Sequence, residues 1–251
     1  MDSIFITGTA GSGKSLLTSR LCQWYKDNNF FPAIVNLDPA VSNLPYEVDV
    51  DIRNYINVNE IMEEYDLGPN GAIIMANDII ATKINEIQDE IDEINPDYLL
   101  IDTPGQIELF AYRASGPFII SNLESENKMA VFLMDGVLLS NPTNFVSLSL
   151  LSISINLRLN IPQINTITKR DLIIEKLEKI MNWTNISYLD DDLFFEKSPE
   201  YSLLSLDIMK YIRKTGIMQE IIPVSNITSS GMIELFASIS RILNQGEEVK
   251  Y

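Results

Sequence analysis

The eight residues Gly8 to Ser15 read GTAGSGKS and follow directly on the apolar run SIFITG. They fit the pattern G-x-x-x-x-G-K-[ST], a loop that must have a strand before it and a helix after it. Glycines at these spacings let the backbone curl until successive N–H groups point inward at phosphate oxygens. Lys14 can reach β- and γ-phosphates, and the Ser15 hydroxyl is placed to ligate Mg²⁺. A helix opening at Lys14 adds its positive dipole end. The candidate phosphate-binding set is therefore Gly11, Ser12, Gly13, Lys14, Ser15 and Leu16.

The strand–loop–helix order is repeated downstream. After the helix expected from Lys14 to about Asn28, PAIVNLD is a strand candidate. Helical patterns follow over Val58–Tyr65 and Asp78–Asn95, with GPN-containing LGPNG (67–71) between them. DYLLIDTPG, MAVFLMDG, PQINTITKRD and EIIPVS are further apolar runs ending in polar residues or glycine. A last helix is expected from about Ser230 to Asn244. Continuous apolar strands alternating with helices predict an α/β three-layer fold, a mostly parallel central sheet with helices on both faces. Ligands bind such sheets at the carboxyl ends of the strands. With 251 residues, 46% of them hydrophobic, and no linker rich in Gly, Ser or Pro, the chain is expected to form a single domain over 1–251.

Charge narrows the partners. Eighteen basic against 35 acidic residues leave −17, which disfavours a phosphate backbone or an anionic membrane surface, so direct nucleic-acid and membrane binding are not expected. One cysteine, Cys22, and no histidine exclude an internal disulfide and a His/Cys metal centre. Cys22 lies in an apolar helical pattern and reads as a core residue. Met1 leads straight into a strand pattern without a basic leader, and the expected location is the cytoplasm. Phe145 to Ile161 is the most apolar stretch. Its serines, Asn156 and Arg158 make it too polar to span a membrane, and it reads as a buried or groove-lining helix.

Six further stretches carry candidate chemistry. In LLIDTPGQIE, Asp102 ends a buried strand where a nucleotide hydrolase holds Mg²⁺, usually through water. Gly105 would offer a backbone N–H to the γ-phosphate, and Gln106 and Glu108 lie beside the position of an attacking water. The plainer alternative is a strand-end turn. In TITKRD, the Asp171 carboxylate can accept two hydrogen bonds from the N1–H and N2–H₂ edge of guanine, which adenine lacks. The Lys169 stem can lie along the base. PVSN, with Ser225 and Asn226, would present backbone N–H groups to the guanine O6. These features point to GTP. Asp38 in NLDPA can help hold Mg²⁺ or its water, or can simply cap a turn. Asp49, Asp51 and Arg53 in VDVDIRNYI alternate with apolar residues, as a solvated strand edge or as neighbours of the nucleotide. LGPNG reads as a rigid turn with Asn70 at its tip, which either connects two elements or holds Asn70 out to a ligand.

Taken in order, GTAGSGKS, NLDPA, DIR, GPN, DTPGQIE and TKRD resemble the GPN-loop GTPases, a dimeric branch of the phosphate-loop GTPases, over residues 1 to about 245. The resemblance implies a homodimer, or a dimer with a paralogue, in which Asn70 reaches the phosphates or lytic water of its neighbour. It implies that Gln106 and Glu108 position water within their own subunit and that Asp38 is a switch aspartate. The GPN-loop region would cover about 58–77, and an apolar helical insertion about 137–161 would give a groove for a protein client. The resemblance further implies a GTP-switched factor in assembly of a complex such as RNA polymerase. Two departures stand out: Thr168 where many GTPases have Asn, expected to weaken a hydrogen bond tying the loops, and Asn226 where Ala is common. The chain stops at QGEEVKY without an acidic tail, which resembles compact archaeal-type members. The reading is a Mg²⁺-dependent GTPase cycling between GTP and GDP. The alternatives are a GTP-gated scaffold with negligible turnover and a metal-delivery GTPase, the latter opposed by the absence of histidine.

Overall fold

The computed structural model describes residues 1–194, 199–215 and 220–244, so the terminal QGEEVKY lies outside the described residues. In chain order the elements are β1 (Asp2–Gly8), α1 (Lys14–Asp27), β2 (Pro32–Asn36), β3 (Val50–Asp51), α2 (Val58–Glu64), α3 (Pro69–Thr82), α4 (Ile84–Ile94), β4 (Tyr98–Asp102), α5 (Ile107–Ala111), α6 (Ser115–Asn122), β5 (Asn127–Asp135), α7 (Pro142–Leu159), β6 (Gln163–Thr168), α8 (Leu177–Asn182), α9 (Ile186–Phe194), α10 (Pro199–Thr215), β7 (Ile221–Pro223) and α11 (Met232–Leu243).

Seven strands form one sheet in the order β3-β2-β4-β1-β5-β6-β7. Every pairing is parallel, so the expected mostly parallel sheet is parallel throughout. The chain leaves β1 towards β2 and later crosses to β5 on the other side, which makes the carboxyl end of β1 the switch point where such sheets open a crevice.

Alternation along the strands builds two cores, because successive side chains point to opposite faces. Ile4, Ile6, Ile34, Leu100, Val131 and Leu133 pack against α1 and α11. There Trp24 and Phe236 stack with centroids 4.1 Å apart and planes 8° from parallel, a contact worth about 0.5–1.5 kcal/mol beyond its buried area. Cys22 is buried on the same face, as expected. Phe5, Val35, Leu99, Ile101, Phe132 and Met134 face the larger core under the remaining helices. Among the described residues no helix is long and apolar enough to cross a membrane.

Two local expectations are corrected. LGPNG is not an isolated turn: α3 starts at Pro69, with Gly68 as an extended N-cap and the Ala72 N–H donating to the Gly68 carbonyl at 3.0 Å. Proline suits this position because its missing N–H would have no partner inside the helix and its φ is already helical. Asn70 is thus the second helical residue of α3. The pattern over Asp78–Asn95 is the end of α3 followed by α4, broken at Lys83. Just before the break the Thr82 hydroxyl bonds back to the Ile79 carbonyl at 2.7 Å, a contact that competes with the helical ladder.

The apolar segment contains α7, which joins β5 to β6 and buries Phe145, Leu148, Ile155 and Leu159. It opens with the Asn141 side chain accepting from the Asn144 N–H at 2.8 Å, an N-cap worth about 1 kcal/mol. Among the described residues three helices, α8 to α10, lie between β6 and β7 where one would suffice for a parallel crossover.

Candidate functional site

The phosphate-type loop leaves β1 at Gly8, whose φ is 147°; a Cβ there would stand 2.7 Å from the Leu133 carbonyl oxygen. Gly13 caps α1 in the left-handed region at φ 91° and accepts the first helical hydrogen bond from the Leu17 N–H at 2.9 Å. Lys14 opens the helix and is buried. Its ammonium donates to the carbonyls of Gly8 (3.1 Å), Thr9 (3.1 Å) and Gly105 (3.0 Å). Burial pushes its pKa down, against the opposing pull of Asp102, Asp38 and Glu108. An ammonium held by three neutral carbonyls can exchange them for phosphate oxygens, which are stronger, charged acceptors.

Asp102 ends β4 and is 2% exposed. Its Oδ2 accepts from the Tyr46 hydroxyl at 2.7 Å, while Oδ1 is buried with no partner. Burial raises the Asp102 pKa, and the Ser15 and Tyr46 hydroxyls and the Lys14 charge offset part of that rise. The Tyr46 phenol is itself pushed far above its ordinary value by burial and by Asp102, so it remains a donor. Tyr46 belongs to no motif, and nothing in its sequence context marked it as part of the site.

Of the two alternatives for Asp38 the structure shows the turn, and it adds a contact the sequence did not indicate. Oδ1 accepts from the Ala40 N–H at 3.0 Å, closing a turn, and Oδ2 accepts from the Gly105 N–H at 2.8 Å, tying the β2 loop to the β4 loop. The Gly105 N–H assigned to a γ-phosphate is therefore already engaged with a carboxylate of the same chain. Asp51 is not on a solvated edge. It is buried, accepts from Asn36 Nδ2 at 3.0 Å, and pairs with Arg53, whose Nη2 lies 2.6 Å from Oδ2.

At the base-reading end, Lys169 has φ 58° and its ammonium is 2.6 Å from Asp135 Oδ2, a partner the sequence did not indicate. Asp171 Oδ1 accepts from the Ser225 hydroxyl, which itself accepts from the N–H groups of Ile227 and Thr228. A cavity of about 430 Å³ beside Asp171 is lined by Gly136, Val137 and Leu172 among others. The Ser225 N–H expected to face the base donates instead to the Ser230 carbonyl at 2.9 Å, because the chain turns back there. What Ser225 brings to the site is its hydroxyl. The Asn226 N–H has no partner among the described residues.

Threonine at 168 still ties the loops together. The Thr168 hydroxyl donates to the Ser12 carbonyl at 2.8 Å, and Asn226 Nδ2 adds a second tie to the Gly13 carbonyl at 3.3 Å. The hydroxyl reaches the loop because β6 and the loop approach closely.

Thr9 Oγ1, Ser12 Oγ, Asp102 Oδ1 and Asn226 Oδ1 are all buried without a partner at this one edge. Buried polar atoms in folded proteins are normally satisfied, and a gathering of exceptions marks a place built for a ligand. Gln106 and Glu108 are exposed beside it and, among the described residues, their side chains accept and donate no hydrogen bond. Glu108 is near enough for its charge to act on Lys14. Asn70 is exposed at the start of α3, and its side chain too has no hydrogen bond among the described residues.

A family model described as "Conserved hypothetical ATP binding protein" matches residues 6–245. The chain is 34% identical over 224 residues to the GPN-loop GTPase PAB0955 of Pyrococcus abyssi, covering 88% of this chain and 86% of that one. It is 36% identical over 173 residues to GPN-loop GTPase 1 of Dictyostelium discoideum, spanning 68% of this chain but only 44% of that longer relative. The crystal structure of PAB0955, titled a GTPase in apo form, superposes with a TM-score of 0.84 at 31% identity over 96% of both chains.

Proposed function

The chain belongs to the GPN-loop GTPase family, and from that premise we propose that it hydrolyses GTP to GDP and phosphate with Mg²⁺, as a two-fold dimer in the cytoplasm. The observation that supports this best is the set of unpartnered buried polar atoms gathered between Lys14 and Asp171. Lys14 and the N–H groups from Gly11 to Leu16 bind the phosphates. Asp171 reads the guanine edge, with Lys169 along the base and the Asn226 N–H towards O6. Adenine offers no donor pair to that carboxylate, so these residues favour GTP over the ATP in the family model's description.

The donors at the cation position are hard oxygens, as Mg²⁺ requires: the Ser15 hydroxyl and Asp102, with Asp38 beside them. The described residues contain no group of three or more His, Cys, Asp or Glu that could hold a metal. A cation here would take its other ligands from phosphate and water, and it would neutralise charge developing on the phosphates. Gln106 and Glu108 orient the attacking water, so catalysis comes from positioning and electrostatics. Asn70 completes the site of the neighbouring subunit, a role supported by its exposure and by its side chain making no hydrogen bond among the described residues. On family grounds the switch serves assembly of a complex such as RNA polymerase. A cavity of about 810 Å³ lies between the start of α7 and helices α8 to α10, and its lining mixes Leu139, Pro142, Ile180 and Trp183 with Lys176, Lys179 and Asp192, which suits a client segment of mixed polarity.

Subunit mixing tests the dimeric site. Asn70→Ala and Gln106→Ala homodimers each lack one group at every site and are expected to be nearly inactive. In a co-expressed mixed dimer, the site on the Asn70→Ala chain keeps its own Gln106 and receives Asn70 from its neighbour. Random pairing makes about half the dimers mixed, each with one complete site, so about a quarter of wild-type hydrolysis returns if the sites act independently. Confirmed mixed dimers that regain nothing above either parent would contradict action across the interface.

A further inference from the structure

Tyr46 stands at the phosphate edge, outside every motif, and the proposed function does not use it. Its hydroxyl donates to Asp102 Oδ2 at 2.7 Å, while Asp102 Oδ1 is buried and accepts no hydrogen bond among the described residues. A carboxylate on a free rotor would share its oxygens among the donors around it. Here one oxygen is held by Tyr46 and the other is left without a hydrogen bond, with the Ser15 hydroxyl close to the carboxylate.

The segment that carries Tyr46 is anchored on both sides of it. Preceding it, the Pro45 carbonyl accepts from the Ser19 hydroxyl on α1 at 3.2 Å. On the other side, Asp49 Oδ2 accepts from the Ile34 N–H on β2 at 2.7 Å. Further back, Arg53 Nη1 donates to the Val41 carbonyl at 3.0 Å. The segment from Asp38 to Asp51 is thus strapped across the carboxyl edge of the sheet, with Tyr46 reaching in from it.

We propose that Tyr46 is a positioning residue for the cation: by holding Asp102 Oδ2 it presents the bare Oδ1 to Mg²⁺ and couples cation binding to the strap that carries Asp38. Groups that hydrogen-bond a metal ligand fix its orientation, and their loss typically costs about 10- to 100-fold in metal affinity. The assignment rests on the Mg²⁺ reading of the proposed function, so the test treats the two separately.

Tyr46→Phe removes one oxygen and keeps the ring. The affinity of a fluorescent GDP analogue is measured in excess EDTA and then against free Mg²⁺, for wild type, Tyr46→Phe and Asp102→Asn. Wild type is expected to gain affinity with Mg²⁺, and Asp102→Asn to lose most of that gain. Tyr46→Phe is expected to match wild type in EDTA but to need about tenfold more Mg²⁺ to reach its midpoint. An unchanged midpoint in Tyr46→Phe, with Asp102→Asn still defective, overturns the role of Tyr46 and leaves that of Asp102 standing. A loss of affinity already present in EDTA also overturns it, because the residue would then act on the nucleotide or the fold. No Mg²⁺ dependence in wild type removes the cation reading and this proposal with it. Should Tyr46→Phe not fold, Tyr46→Met fills the space without a donor and carries the same expectations.

Discussion

Lys14→Ala is expected to yield a folded protein that no longer retains GTP or GDP. The ammonium now rests on the carbonyls of Gly8, Thr9 and Gly105, and binding exchanges them for phosphate oxygens. Each hydrogen bond to a charged group is worth about 1.5–3 kcal/mol, and Lys14 makes at least two to the β- and γ-phosphates, so affinity falls at least about a hundredfold. Stability changes less, because removing the ammonium relieves the burial that lowers its pKa while freeing three carbonyls. Equilibrium binding of a fluorescent nucleotide, beside thermal melting of the same samples, checks both halves. Affinity within a few-fold of wild type would mean that the phosphates bind elsewhere.

Asp171→Asn is expected to exchange the preferred base and not merely to weaken binding. The carboxylate accepts from two guanine donors in the proposed complex, and an amide can accept only one while turning its own N–H₂ against the other. The loss for GTP is about 1–3 kcal/mol, the cost of an unmet buried hydrogen bond. Xanthosine triphosphate carries an oxygen at C2 that can accept from the new amide, so its affinity rises. Ser225 can still donate to the remaining oxygen at 171, which keeps the loop from 225 to 228 in place. Competition between GTP and xanthosine triphosphate reads the result directly. A variant that keeps the wild-type preference for GTP would remove Asp171 from base reading.

The parts of the fold legible in the sequence are those fixed by local pattern. Buried parallel strands are continuous apolar runs, so β1, β2, β4, β5 and β6 stand where SIFITG, PAIVNLD, DYLLIDTPG, MAVFLMDG and PQINTITKRD put them. Edge strand β3 has only two residues, one of them charged. Asp51 can be buried there only because Asn36 and Arg53 meet it from elsewhere in space. The start of α3 was hidden because Gly, Pro, Asn and Gly favour turns by composition, whereas Pro at the first helical position favours a helix just as well.

At the site, residue types with one geometric use were legible, and those whose use depends on a distant partner were not. Lys14 can only follow its loop into the phosphate position. Thr168, Ser225 and Tyr46 act through oxygens whose partners are distant in sequence: the Ser12 carbonyl, Asp171 and Asp102. No spacing along the chain encodes those approaches. The Asp38 contact with the Gly105 N–H belongs to the same class. It links the loops that Mg²⁺ and the γ-phosphate would both touch.

The most direct measurement of the central claim is the ratio of kcat/KM for GTP and ATP with the purified wild-type protein in Mg²⁺. A site that hydrogen-bonds a substrate's donors rejects an analogue lacking them by about 10⁴-fold or more, because its own polar groups are left buried and unpaired. GTP is therefore expected to be hydrolysed at least about a thousandfold more efficiently than ATP, allowing for the partly open position of Asp171. Comparable kcat/KM values for the two nucleotides, or ATP displacing bound GTP at equal concentration, would contradict the account.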